Sequence, residues 1–183
     1  FKNDEERAQV QEIVNRVRED LTDFRVHVDW RDGLTPGFKF NDWELRGVPL
    51  RLEIGPRDVA AGTAGLARRD KPGKEGKRTV RLEGLPATVG EALDEVQRSL
   101  FERATAFQRA NTHKPDDYAE FKQVVQDGWA DSWWCGDAAC EAEIKEETKA
   151  TTRAIPLNQP GGEGVCIHCG KPAVERAIFG RSY

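Results

Sequence analysis

Apolar residues recur at helical spacing at Val10, Ile13, Val14, Val17 and Leu21, which predicts an amphipathic helix. Asn3, with Glu6 three residues on, supplies its cap and box partner. The pattern then changes period. FRVHVD (24–29) alternates, Val26 and Val28 on one side and His27 on the other, and is read as a strand. Thr35-Pro36 is a cap followed by proline at the first helical position, and Gly47 ends that helix. PLRLEIG (49–55) alternates again: Leu50, Leu52 and Ile54 face one way, Arg51 and Glu53 the other. GLARRD and RTVRLEG are expected to be two strands joined by the polar turn KPGKEGK. Thr88 with Glu91 reads as a second capping box, opening a long helix that carries Val89, Leu93, Val96, Leu100, Ala104 and Phe107.

This order predicts an α/β layer domain over roughly 1–112. A right-handed crossover unit needs a strand before its helix, so a strand is expected upstream of the first helix. The absence of methionine, even at position 1, fits a processed chain or a piece of a longer one. After THKPDD the pattern changes. A short helix around Tyr118 to Gln126, GWADSWW, a Glu-rich helix, the strand TTRAIPL and the loop NQPGGEG predict a smaller α+β domain over 113–183.

Composition sharpens the functional classes. The 183 residues are 33% charged and 38% hydrophobic, without an apolar run long enough for a membrane helix or a signal core. An intracellular, cytoplasmic protein with no membrane partner is expected. Net charge is -4, yet Lys39 to Arg81 holds eleven Lys and Arg against six Asp and Glu. Such a basic island is either a solvated face or a surface for a polyanion.

The four cysteines, Cys135, Cys140, Cys166 and Cys169, are spaced C-x4-C and C-x2-C. In an intracellular chain this pattern points to zinc before disulfides. Gly170 completes a C-x2-C-G knuckle able to present two sulfurs from one turn. Four thiolates close the shell around Zn2+, so the site is expected to be structural, supporting a domain with a thin core. His168 lies inside the knuckle as a competing ligand; His27 and His113 read as ordinary polar residues. Nucleophile elbows, phosphate-cradling glycine motifs and His-x-x-x-His are missing, and Glu146-Glu147 reads as a solvated helix face. The residues by themselves indicate an RNA- or protein-binding α/β module joined to a zinc domain.

The stretch TPGFKFNDWELRGVPLRLEIGPRD (35–58) closely resembles the signature of the anticodon-binding domain of prolyl-tRNA synthetases, of the archaeal/eukaryotic-like type. CGDAACEAEIKEETKATTRAIP and CIHCGKPAVERAIFGRSY resemble that type's C-terminal zinc domain, down to the final Tyr183. The resemblance implies a mixed sheet flanked by helices, its first strand upstream, followed by the small zinc-binding domain. It also implies ATP-dependent attachment of proline to its tRNA, with ATP and Mg2+ held by a class II catalytic domain upstream, and a homodimer of the full-length enzyme. No catalytic residue is expected in this chain, which alone should be inactive. Anticodon-reading roles are implied for Glu44, Arg51, Arg57, Asp58 and a lysine of the 74–77 turn, for which Lys77 fits best. Proline anticodons share two guanines, whose edges suit paired cations and carboxylates. Arg68 and Arg69 are expected on phosphates. Trp30 and Phe38 are candidate stacking platforms, with core packing as the alternative; Trp129, Trp133 and Trp134 are expected to line the zinc domain, and the Tyr183 carboxylate to meet the catalytic domain. The competing functions are a non-catalytic tRNA-binding accessory protein and a zinc-dependent scaffold.

Overall fold

In the computed structural model, which describes residues 3–181, the chain divides into two compact units between Glu102 and Arg103. In the first, helix α1 (Asp4–Asp20) starts where Asn3 accepts from the Glu6 amide at 2.8 Å. Its stripe buries Val10, Val17 and Leu21. Helix α2 (Pro36–Leu45) is capped by Thr35, and the left-handed Gly47 follows its end. Strand β1 (Leu50–Glu53), the short helix α3 (Pro56–Ala61), strand β2 (Thr63–Arg68) and strand β3 (Lys77–Arg81) come next. They form a sheet of order β1-β2-β3 with both pairings antiparallel.

Helix α4 (Leu85–Asn111) continues through the division between the units. The inward faces of β1 and β2, led by Leu52 and Leu66, pack with Val17, Leu21, Leu85, Val89 and Ala92. That leaves Arg51, Glu53 and Lys77 on the opposite side, where the site described below lies.

Two sequence expectations fail here. FRVHVD forms no strand and joins no ladder. Its end is tied instead to α2, where Trp43 Nε1 donates to Asp29 Oδ2 at 2.9 Å, Lys39 Nζ donates to the Asp29 carbonyl at 3.3 Å, and His27 lies 4.4 Å from the Trp43 ring. The alternation builds no sheet strand: Val26 is exposed, and the contact with α2 is made by His27, on the other side. Nor does Thr88 cap α4. The helix begins at Leu85, after left-handed Gly84, with Pro86 in its first turn and Leu85 fully buried. The local box lost to a proline start anchored in the core.

The second unit has strand β4 (Thr112–His113), helix α5 (Tyr118–Asp127), strand β5 (Trp129–Trp134), helix α6 (Ala138–Thr148), strand β6 (Ala150–Ala154), the two-residue strands β7 (Gly164–Val165) and β8 (Pro172–Ala173), and strand β9 (Glu175–Arg181). Its main sheet runs β4-β5-β9-β6, with β4-β5 parallel and the others antiparallel. Phe121, Val125, Ile144, Ala177 and Phe179 form its core together with Cys140 and Cys166.

Candidate nucleic-acid interface and metal centre

Strand alternation turns Arg51 and Glu53 away from the core, and α2 brings Phe40 and Glu44 against Arg51. Arg51 Nη1 donates to Glu44 Oε1 at 2.6 Å, while its Nε donates to Glu53 Oε1 at 3.1 Å. The guanidinium carbon sits 3.9 Å from the Phe40 ring centroid. Lys77 Nζ donates to the other Glu53 oxygen. The result is a row of alternating charge, Glu44–Arg51–Glu53–Lys77, spread over α2, β1 and β3. These pairs are too exposed to contribute much to stability. They do hold cations and carboxylates side by side within reach of solvent. Phe40, Trp43, Glu44, Pro49, Arg51 and Arg69 line a shallow depression next to the row.

The other candidate residues scatter. Arg57 is exposed in the first turn of α3 and makes no hydrogen bond or ion pair among the described residues. Asp58 Oδ2 accepts the Gly55 amide at 2.9 Å, so that carboxylate caps α3. Arg69 is exposed. Arg68 departs from the expected phosphate contact. Its side chain is only 10% exposed and pairs with Asp70 at 2.8 Å and with Glu95. It sits on the inward parity of β2, which alternation along GLARRD could have revealed. Hydrogen bonds from Arg68 hold the Asp70 carboxyl below the usual carboxylate range against the opposing effect of burial. Trp30 and Phe38 are 45% and 55% exposed, which excludes the core alternative for both. Phe40 was not singled out by the sequence; its position four residues before Glu44 on one helix face is the signal that places both beside Arg51.

In the second unit, Cys135 follows β5, Cys140 lies in α6, and Cys166 and Cys169 bracket the turn after β7. The four Sγ atoms lie within 4.8 Å of one another. Cys140 and Cys166 are 3.7 Å apart, Cys135 and Cys169 3.6 Å. A tetrahedral Zn–S length of about 2.3 Å puts sulfurs about 3.8 Å apart, so the set fits a thiolate-bound metal ion. The knuckle is built by Cys166 N–H donating to the Lys171 carbonyl at 2.9 Å, Gly170 N–H to the Cys166 carbonyl at 3.1 Å, and left-handed Gly170. Burial works against ionising Cys166, but backbone donors at Cys169, His168 and Cys135 bring its pKa down to about 7. Burial, then its hydrogen bonds with the other three thiols, pushes Cys140 up. His168 is not in the four-sulfur group; its Nδ1 flanks Cys140 Sγ at 3.4 Å and its ring meets Tyr118 edge-on. Trp134 packs on the core that contains Cys140 and Cys166, and Trp133 lies against Gly164. Tyr183 lies outside the described residues.

Residues 2–92 match the family described as "Anticodon binding domain", and residues 118–183 match "Prolyl-tRNA synthetase, C-terminal". The chain belongs to the prolyl-tRNA synthetases, as their C-terminal region. A proline–tRNA ligase of Roseiflexus castenholzii is 48% identical over 184 residues, covering 100% of this chain and 38% of that protein. The chloroplastic/mitochondrial proline–tRNA ligase of Arabidopsis thaliana is 43% identical, covering 100% of this chain and 35% of that one. The crystal structure of the prolyl-tRNA synthetase from Cryptosporidium parvum, complexed with halofuginone and AMPPNP, superposes with a TM-score of 0.81 at 31% identity. It covers 96% of this chain and 37% of that one. The chain thus spans well under half the length of these relatives. Its two units are the anticodon-binding domain and the C-terminal domain of the prolyl-tRNA synthetases. Among the described residues no helix is long and apolar enough to cross a membrane.

Proposed function

We propose that this chain is the recognition arm of a cytoplasmic proline–tRNA ligase, reading the proline anticodon loop for a class II catalytic domain located elsewhere in the enzyme. ATP, Mg2+ and the chemistry of prolyl transfer belong to that domain, and the full enzyme is a homodimer. The observation that carries this reading is the Glu44–Arg51–Glu53–Lys77 row, placed on the solvent side of the sheet of an anticodon-binding domain.

The chemistry follows from guanine's edges. O6 and N7 accept hydrogen bonds, which Arg51 and Lys77 donate; N1–H and the exocyclic N2 amine donate, which a carboxylate such as Glu44 accepts. Phe40 supports the Arg51 guanidinium from one side, restricting where it can point. Arg57, without an ion pair among the described residues, adds a cation after the strand, and Arg69 reaches phosphate, giving affinity without sequence information. Asp58 shapes the loop through its cap on Gly55.

The metal of the second unit is Zn2+ in a structural role. Cys135, Cys140, Cys166 and Cys169 would hold it, and four thiolates leave no position for a reactive water. Bound there, zinc cross-links β5, α6 and the knuckle.

Titration of the chain with an anticodon stem-loop bearing the proline guanines tests the reading. Tighter binding to that loop than to the same stem with both guanines replaced supports it. Equal binding to the two loops contradicts it.

A further inference from the structure

We propose that Glu53 is a specificity-determining residue: with Lys77 it forms a second carboxylate–cation pair beside Glu44–Arg51, and each pair reads one of two adjacent guanines. The inference rests on the reading of this sheet face as the anticodon interface.

One guanine needs one carboxylate and one cation, held side by side along its edge. The row Glu44–Arg51–Glu53–Lys77 contains that unit twice. Of the motif's remaining acidic residues, Asp42 pairs with Arg31 and Arg46, and Asp58 accepts the Gly55 amide as a cap. Glu53 is differently placed. It stands on the outward face of β1, with a side chain 23% exposed. Its two oxygens accept one bond each, from Arg51 Nε and from Lys77 Nζ. A carboxylate offers about four acceptor positions, so both oxygens keep capacity for the N1–H and N2 donors of a base.

The middle strand is shaped for this. Arg51 lies opposite Ala67, which lies opposite Lys77, while Glu53 lies opposite Gly65. Lys77 therefore reaches Glu53 diagonally, across Gly65. A Cβ at Gly65 would sit 3.4 Å from Lys77 Cε and 3.6 Å from Glu53 Cβ. Any larger side chain there would occupy the path between the two pairing groups. Gly65 and Ala67 also leave the floor of the row low, so that a base edge can approach. Glu53 thus ties the two cations together and sets their separation.

Replacing guanine by inosine, which lacks only the N2 amine, isolates the carboxylate contact. The 183-residue chain is titrated with anticodon stem-loops carrying two guanines, or with inosine or adenine at either position. Unmodified protein is expected to lose roughly 5- to 150-fold in affinity for inosine at each position. Glu53→Gln, which keeps the side-chain shape but leaves a single neutral acceptor oxygen, should reduce the inosine penalty at one position and preserve it at the other. Glu44→Gln should do the converse. Lys77→Met should weaken discrimination at the same position as Glu53→Gln. If adenine costs affinity but Glu53→Gln leaves both inosine penalties as they were, Glu53 is no reader and the interface reading survives. If adenine at either position costs unmodified protein nothing, the interface reading fails and the role of Glu53 with it. A Glu53→Gln protein that weakens equally for every loop assigns Glu53 to the fold alone and overturns the proposal.

Discussion

Arg68 and Asp70 form a two-bond fork, Nε to Oδ1 at 3.0 Å and Nη2 to Oδ2 at 2.8 Å, with the Asp70 side chain 1% exposed. Adjacent in sequence, Arg68 and Arg69 are therefore expected to behave as opposites. Removing one member of a buried pair leaves an uncompensated charge, so Arg68→Ala should cost about 3 kcal/mol of unfolding free energy. Arg69→Ala should leave stability unchanged within about 0.5 kcal/mol and lower the salt dependence of RNA binding by roughly 0.7 to 1 in slope. Urea denaturation and a salt titration of stem-loop binding check the two variants.

The same fork makes the first unit acid-sensitive. Asp70 has a lowered folded-state pKa, chiefly through its hydrogen bonds from Arg68. At low pH the unfolded state binds this proton first, so the contribution is present above the unfolded carboxylate value, about 3.9, and is lost as pH falls through the folded value. Urea midpoints measured from pH 7 downward should fall more steeply for unmodified protein than for Asp70→Asn, whose stability lacks this proton linkage. Parallel curves would remove Asp70 from the acid response.

Metal removal should act on one unit only. Structural zinc contributes on the order of 10 kcal/mol to the folding of small domains. Two of the four clustered sulfurs, Cys140 and Cys166, are in the core with Ile144 and Phe179. Chelation is expected to collapse amide-exchange protection beyond about residue 115 and to leave α1, β2 and the first half of α4 protected. Cys166→Ser should reproduce the effect without chelator. Unchanged protection in the second unit would show that its core stands without metal.

Exposed aromatics give a further contrast. Phe38 is 55% exposed on α2, and stacking of a splayed base on an aromatic ring contributes about 1–3 kcal/mol. Phe38→Ala should weaken stem-loop binding by that order with little change in thermal stability. Loss of stability with unchanged RNA affinity would assign Phe38 to packing.

Much of this was legible in the chain because local and tertiary preferences coincide. The caps at Asn3 and Thr35, the alternation of Leu50, Leu52 and Ile54 against Arg51 and Glu53, and the cysteine spacing each reappear as geometry. The failures have separate physical causes: a period says which side is apolar but not what covers it, and a local capping box yields to a proline start anchored in the core. Val26 and Val28 alternate without a neighbouring strand, and Arg68 and Arg69, adjacent in a basic run, are separated by strand parity. Strands β5 and β9 have no sequence signal as clear, since Ala130, Ala177 and Phe179 are set by packing in one core with Phe121, Val125 and Ile144. Glu53 was visible as an outward residue, but its link to Lys77 runs diagonally across Gly65, a placement that only the register discloses.

Arg51 stands at the centre of the proposed interface, bonded to two carboxylates and resting on Phe40. Measuring the affinity of Arg51→Ala for a stem-loop with the proline guanines, and for one with both guanines replaced by adenine, tests that claim most directly. The expected result is a loss of roughly 1–3 kcal/mol on the first loop and almost none on the second. An equal loss on both loops would make Arg51 a phosphate contact and contradict the account.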